Sequence, residues 1–294
     1  MNRPYVIPVL SFVEPRCRSA GVRATYALCR AINRLGERAV VYVNDDGNAG
    51  AAGDLLTPDW STLHPLERRR VIAVATDGVP LTIAGRSVKW WLGSPTSKPW
   101  GPDGPGKIIP AAPGDYSWSQ IWDLELRRLW LKDVYDTDIF RPRHPPARRR
   151  GAVVWPGKHG DLSEADCARC PTDAIFLSNQ WPWKREDLAE LFCRSELLIS
   201  FDSFSGMNVE ASFCGCPVLI LAANGGLDGE PNVVTKERLL AHPFIRPVGY
   251  AWSEEELPAA RAAVVGAYDD FLAWAKTAEG DVARFVEETQ RRFQ

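Results

Sequence analysis

The chain has 294 residues, enough for two domains, and carries 35 basic against 37 acidic side chains for a formal net charge of −2. That balance excludes the strong positive field of a nucleic-acid binder. No apolar run approaches transmembrane length, and Met1-Asn2-Arg3-Pro4 leads straight into a strand-like run rather than a signal pattern, so the expectation is a cytoplasmic protein with at most peripheral contact at the inner face of a membrane.

The N-terminal half opens as a βαβ unit. Tyr5–Phe12 reads as a strand, Gly21–Gly36 as a helix with Val22, Tyr26, Cys29 and Ile32 along one side, and Arg38–Val43 as a second strand. The first turn, Glu14 to Gly21, holds one glycine and is not a dinucleotide fingerprint. Asn44–Asp59 is rich in Gly, Ala, Asn and Asp and reads as a loop, and Val71–Thr76 and Ser87–Leu92 read as further strands. The Gly- and Pro-dense stretch Gly93–Gly106 excludes a helix or a central strand; with Trp91 before it and Trp100 inside it, it is either a sugar platform or a loop anchored by its aromatics. Arg141–Arg150 is basic, Pro-rich and aperiodic, as expected of a solvated linker, and places the domain boundary near 143–150.

Beyond it, Ala152–Trp155 is a strand ending in Pro156-Gly157-Lys158-His159-Gly160, Ala174–Ser178 another strand, and Lys184–Arg194 a helix with Leu188, Leu191 and Phe192 inward. Between the last two lies Asn179-Gln180-Trp181-Pro182-Trp183, whose amides and aromatic faces suit a nucleobase. Cys167 and Cys170 have metal-knuckle spacing, but Cys214 and Cys216 cannot complete a zinc ribbon, so no metal site is expected; the seven cysteines read as reduced thiols. Ala223–Gly229 is a loop, and Glu254–Phe293 is helical in pattern with a break around Gly280.

Glu196–Ala222 is the most informative stretch. Two short apolar runs, Leu197–Phe201 and Pro217–Ala222, read as strands buried on both faces. Between them lie Ser205-Gly206-Met207-Asn208 and a short helix, Val209–Phe213, which Cys214-Gly215-Cys216-Pro217 ends. Strand, turn, helix, strand forms the ligand crevice of open parallel sheets, and the helix start suits an anion such as a nucleotide diphosphate. Glu210, one turn inside, suits two ribose hydroxyls.

Asp202, Phe204, Glu210-Ala211 and Gly215-Cys216-Pro217-Val218 together resemble the donor-site signature of retaining GT-B glycosyltransferases, with Asp202 in place of the usual Glu and Ser203 and Ser205 where glycines are usual. Val134-Tyr-Asp-Thr-Asp-Ile-Phe-Arg-Pro142 is similar to the interdomain segment of the same family. The resemblance implies an α/β protein of GT-B fold, two facing Rossmann-like domains with a cleft between them. Residues 1–145 would form the acceptor-side domain and 146–275 the nucleotide-sugar domain, with 276–294 packing back on the first. It implies transfer of a sugar from a nucleotide diphosphate to the hydroxyl of a glycan or lipid-linked acceptor, as in surface polysaccharide synthesis, with no cofactor or metal beyond the donor. Lys158 and Asp202 are then the candidate catalytic residues, and Gly157, Ser205, Gly206, Met207, Asn208 and Glu210 the candidate donor ligands. Lys158 stands alone where the family has two cations, and His159 is a lesser candidate. Arg16, Arg18 and Gly21 occupy the loop that faces acceptor and donor phosphates in that family; a solvated basic turn is the alternative. Two other readings stay open: a catalytically silent GT-B subunit of a glycan assembly complex, and a nucleotide-sugar epimerase.

Overall fold

The computed structural model of the chain describes residues 2–9, 20–43, 71–76, 87–92, 100–101, 104–105, 116–119, 127–131, 134–157, 161–178, 181–203, 205–221, 236 and 248–294. The chain divides into two compact units, Met1–Val134 with Thr277–Gln294, and Tyr135–Lys276.

In the first unit, β1 (Tyr5–Val9), α1 (Ala20–Arg34), β2 (Ala39–Val43), β3 (Ile72–Thr76) and β4 (Ser87–Trp91) follow the apolar runs of the sequence. Trp100–Gly101 and Gly104–Pro105 (β5 and β6) pair as a two-residue antiparallel ribbon, the most that a Gly- and Pro-dense stretch can support. β7 (Tyr116–Ser119) and β8 (Arg127–Arg128) have no counterpart in the sequence reading, because one is half serine and the other is two arginines. The sheet order is β2-β1-β3-β4-β7-β8, with every pairing parallel. Tyr5, Ile7, Ile72, Val88 and Trp90 are fully buried, and the Trp90 indole N–H donates to the Leu129 carbonyl at 3.2 Å, so the largest core side chain leaves no polar atom unmatched.

The second unit holds β9 (Ala152–Trp155), α2 (Glu164–Cys167), β10 (Ile175–Phe176), α3 (Arg185–Arg194), β11 (Leu197–Ser200), α4 (Gly206–Phe213), β12 (Val218–Ile220) and β13 (Tyr250–Ala251). After them come α5 (Leu257–Ala263) and α6 (Ala267–Ala275), separated by a 3-10 turn at Val264–Gly266. The sheet runs β10-β9-β11-β12-β13, again all parallel. Val153, Val154, Leu198 and Val218 are completely buried, as expected of strands covered on both faces. Helix α4 packs on α3 and α6, and α5 packs on β13.

The basic segment 141–150 is mostly exposed, as expected of a solvated run, but His144 and Arg149 anchor it to the second unit. It belongs to the second unit, and the first unit ends at Val134 rather than near residue 145. Phe140 is fully buried, its ring centre 6.5 Å from that of Phe192 of α3 in a tilted pair, while His144 and Arg143 reach Glu190 of α3 at 2.8 Å and 3.5 Å. The hydrogen bond from His144 is the main reason the Glu190 carboxyl lies below its usual range. Arg149 is only 4% exposed; its guanidinium donates to the carbonyls of Cys214 at 2.7 Å and His144 at 3.2 Å. A cation under the last carbonyls of α4 suits the negative end of the helix dipole. Gly215 follows with φ +74 and completes the C-terminal turn, where Gly215 N–H donates to Ser212 and Cys216 N–H to Ala211.

The final helix, α7 (Asp281–Phe293), returns to the first unit and packs on α1. Tyr5 and Thr289 share a hydroxyl hydrogen bond of 2.7 Å, and Gln290 exchanges two bonds with the backbone of Arg3 at 2.9 Å and 2.7 Å. Asp281, 1% exposed at the helix start, takes a two-pronged pair from Arg128 at 2.7 Å and 2.9 Å and a third bond from the Trp130 N–H at 3.2 Å. An acid at a helix N-terminus is favoured by the dipole, and the planar guanidinium fits it from two directions.

Replacing Asp281 by Ala removes the buried carboxylate that Arg128, Arg284 and the Trp130 N–H share, and destabilises the first unit by about 3–5 kcal/mol in urea denaturation. A loss below about 1 kcal/mol in that experiment means that the Asp281 network contributes little and that the apolar face with Thr289 and Gln290 holds the helix. Gly215→Ala combines a left-handed backbone with a new Cβ 2.7 Å from the Arg149 guanidinium, whereas Gly151, also left-handed at φ +67, has nothing within 4 Å. Gly215→Ala therefore costs about 2–4 kcal/mol and Gly151→Ala about 1–2 kcal/mol. Equal melting shifts for the two variants exclude Arg149 as a strut beneath α4.

Candidate functional site

In the second sheet the chain leaves β9 toward one edge, through β10, and returns on the other side of β9 as β11. The topological switch point thus falls between β9 and β11, and the crevice beyond their carboxyl ends is where open α/β sheets receive ligands. Gly157, two residues past β9, has φ +96, and a Cβ there would meet the Asp202 Cβ at 3.5 Å and the Phe201 carbonyl at 3.9 Å. Two candidates chosen from separate motifs, Gly157 and Asp202, are therefore neighbours. The backbone approaches so closely because Phe201 N–H still pairs with the Trp155 carbonyl at 2.9 Å, which carries the sheet one residue beyond β11.

The turn from β11 into α4 is clasped by side chains. Ser200 Oγ donates to the Asp202 carbonyl at 3.0 Å and accepts from the Asp202 N–H at 3.3 Å, and Asn208 Nδ2 donates to the same carbonyl at 2.8 Å. Ser205 caps the helix, its hydroxyl accepting from the Met207 N–H at 3.3 Å. This cap starts α4 at Gly206, three residues earlier than the apolar pattern predicts. Asp202, Ser205 and Gly206 are half-buried, whereas Met207 is 6% exposed and Asn208 fully buried. Asn208 is thus first a clamp on the turn, its Nδ2 spent on Asp202.

Glu210 is 2% exposed and forms a 3.1 Å ion pair with Arg185 Nη2, on a side chain that is itself buried at the start of α3. The Arg185 guanidinium carbon lies 4.7 Å from the centre of the Phe140 ring. Glu210, Arg185 and Phe140 thus join α4, α3 and the Val134–Pro142 segment. The sequence reading missed Arg185. Its one signal was a cation at the first position of a helix, where the dipole favours an anion and a cation calls for a nearby acid.

Three buried polar atoms have no hydrogen-bond partner among the described residues in this part of the fold: Trp155 Nε1, Arg185 Nη1 and Asn208 Oδ1. Trp155 ends β9, Arg185 begins α3 and Asn208 lies in the first turn of α4, so all three belong to the carboxyl end of the sheet. Such atoms are rare in folded proteins and accumulate where ligands or water complete the set. Trp181 and Trp183, 49% and 71% exposed, follow β10 at the same end, in a turn fixed by Ser178 and Trp181 at 3.0 Å and 3.1 Å.

Lys158, His159, Asn179, Gln180, Phe204 and the loop Ala223–Gly229 lie outside the described residues, as do Glu14, Arg16 and Arg18. Gly21 is the second residue of α1. Trp91 ends β4 and Trp100 begins β5. Six cysteines among the described residues are free thiols; Cys193, Cys214 and Cys216 are buried, and burial pushes Cys216 up to about 12, so that it is an inert core group. No group of His, Cys, Asp and Glu among the described residues is arranged to hold a metal ion. No helix among them is long and apolar enough to cross a membrane.

No protein-family model matches the chain, and no curated protein sequence matches it. Solved structures do. The chain is similar to MurG of Acinetobacter baumannii with a TM-score of 0.50 at 9% identity, covering 98% of this chain and 99% of that one. A glycotransferase of kitacinnamycin aligns with a TM-score of 0.47 at 13% identity over 99% of both chains. The wall teichoic acid polymerase TagF aligns at 0.45 and 11% identity, over 99% of this chain and 89% of that one. At such identities the likeness is one of fold, and the fold is GT-B, with a parallel α/β sheet in each unit.

Proposed function

We propose that the protein is a nucleotide-sugar glycosyltransferase that binds its donor in the second unit and transfers the sugar, with retention of anomeric configuration and without a metal, to a glycan or lipid-linked hydroxyl. The observation that carries this reading is the meeting of Gly157 and Asp202 across the switch point, beside the Ser205-capped start of α4. A Cβ-free backbone and a helix N-terminus suit the donor diphosphate, because both bring N–H groups close to phosphate oxygens. Gly157, Ser205 and Gly206 line this cradle, Met207 and Asn208, whose N–H groups are spent on Ser205, hold its shape, and Glu210 is the acid for the ribose.

Chemistry then follows from charge. The leaving diphosphate gains negative charge as the glycosidic bond breaks, and Lys158 and the start of α4 stabilise it. Asp202, next to Gly157, faces the sugar and carries the second catalytic role. The diphosphate itself takes the acceptor proton, so the transfer needs no protein general base. The full-length likeness to MurG in fold agrees with this reading, and the resemblance of the sequence motifs supplies the expected acceptor, a glycan or lipid-linked hydroxyl at the inner face of a membrane.

One observation favours a second reading. Glu210 is already committed to Arg185 in a pair only 2% and 6% exposed, as in a scaffold whose donor site has become a structural joint. A catalytically silent GT-B subunit of a glycan assembly complex has this property.

A panel of nucleotide sugars, assayed for donor hydrolysis and for transfer, separates the two readings: release of nucleoside diphosphate from one donor supports the enzyme, and inertness toward all supports the silent subunit. In the active case Lys158→Ala lowers turnover by about a hundredfold or more and weakens binding of the nucleoside little. Equal loss of nucleoside and nucleoside-diphosphate affinity makes Lys158 a structural residue. The anomeric outcome is a separate check. An α-linked donor gives an α-linked product, and Glu14→Gln, which removes the carboxylate nearest to Arg16 and Arg18 in sequence, keeps near-normal turnover. A β-linked product, read from the anomeric proton coupling, overturns the retaining mechanism.

A further inference from the structure

Arg185 is held in one orientation by three independent restraints. Its side chain is 7% exposed, its Nη2 lies 3.1 Å from Glu210 Oε1, and its guanidinium carbon sits 4.7 Å from the centre of the fully buried Phe140 ring. Its Nη1 is buried without a partner among the described residues. For an ion pair that serves stability alone this is a poor arrangement. Taking both charges out of water costs several kcal/mol each, and one donor of the fork remains unsatisfied. What the arrangement does secure is direction: a planar fork stacked on a ring fixes the carboxylate it holds, in a way that a flexible ammonium does not.

We propose that Arg185 is a positioning residue of the donor site, setting the Glu210 carboxylate, with Phe140 beneath it, for recognition of the ribose diol of a nucleoside diphosphate. This rests on the donor-site reading above. A carboxylate only accepts hydrogen bonds, so it reads the two O–H groups of a ribose and loses one contact for each hydroxyl removed. The loss is large only when the carboxylate cannot swing to compensate. An unrestrained Glu on α4 would re-aim at little cost, because its side chain carries several rotatable bonds. Arg185 removes that freedom. The inference also gives Phe140 a role in the site, although the ring lies in a segment far from α4 in sequence.

The test uses the full chain and equilibrium binding of UDP, GDP, ADP and CDP, followed by the 2′-deoxy and 3′-deoxy forms of whichever binds tightest. The wild-type protein discriminates against loss of a ribose hydroxyl by about ten- to a hundredfold, the range of a hydrogen bond to a charged group. In Arg185→Met the discrimination falls to within about threefold, and Arg185→Lys, which keeps the charge without the fork, lies between. Glu210→Gln falls as far as Arg185→Met, and the double variant falls no further, because both changes act through one carboxylate. Phe140→Leu keeps both charges and halves the discrimination or more; with Arg185→Lys it carries the test if Arg185→Met does not fold. Wild-type discrimination in folded Arg185→Met, or in both Arg185→Lys and Phe140→Leu, makes the pair a structural strut and overturns the inference alone. Wild-type discrimination in Glu210→Gln removes Glu210 from the ribose site and overturns the inference together with that assignment. Failure of the wild-type protein to bind any of the four diphosphates overturns the donor-site reading together with the inference.

Discussion

A carboxylate on the inner face of an eight-residue helix is tolerable only beside a cation, and Arg185 supplies it. Much of the second unit is arranged around that requirement. Arg185 reaches Glu210 from the start of α3, so α3 and α4 must lie side by side; Phe140 fills the space under the guanidinium, so the segment after Val134 must fold onto α3. At the other end of α4 a second buried cation, Arg149, holds the Cys214 carbonyl. The helix is thus bracketed by two arginines that come from outside it. Its N-terminus is left to Ser205 and to the crevice between β9 and β11.

The same bracketing explains what could be read from the amino acids and what could not. Ala152–Trp155 forms a strand with the bounds its apolar run suggests, because four apolar residues in a turn-bounded run, two of them valines, fit a sheet covered on both faces. The break in the C-terminal helical region was legible at Gly280, where α7 begins, but not at Val264–Gly266, where no proline marks the 3-10 turn. Arg149 looked like part of a solvated run because its neighbours Arg148 and Arg150 are in fact exposed. Only a partner 65 residues away distinguishes it, and local composition has no access to that partner. Arg185 escaped for the same reason: its acid lies 25 residues ahead, across a strand. Gly157 and Asp202 were each named from their own motif. Their adjacency follows from a strand order that one-dimensional patterning does not contain.

Tryptophan content shows the same division between local and long-range information. The chain has twelve tryptophans, and residue type alone does not separate those that pack from those that face solvent. Trp90, Trp130 and Trp155 are buried, whereas Trp181 and Trp183 stand out at the end of β10. The two groups differ in context rather than in residue type. Buried ones end strands or continue them, and the exposed pair brackets Pro182 in a tight turn. A Pro-containing turn cannot return its neighbours to a sheet, so their rings have no core to enter.

Both sheets wind in the same sense, each with its second strand outside its first and its third on the other side. Topology alone therefore offers two switch points, between β1 and β3 and between β9 and β11, and gives no reason to prefer either. The preference comes from side chains. Around the second point a left-handed glycine touches the neighbouring turn, serine and asparagine hold that turn by both its N–H and its carbonyl, and a capped helix begins beside it. These groups spend their hydrogen bonds on rigidity in the turn, and buried atoms of Trp155, Arg185 and Asn208 nearby have no partner among the described residues. Rigid backbone with unsatisfied donors and acceptors around it is the combination that binding a polar ligand improves, since a preorganised site loses little freedom when it is filled.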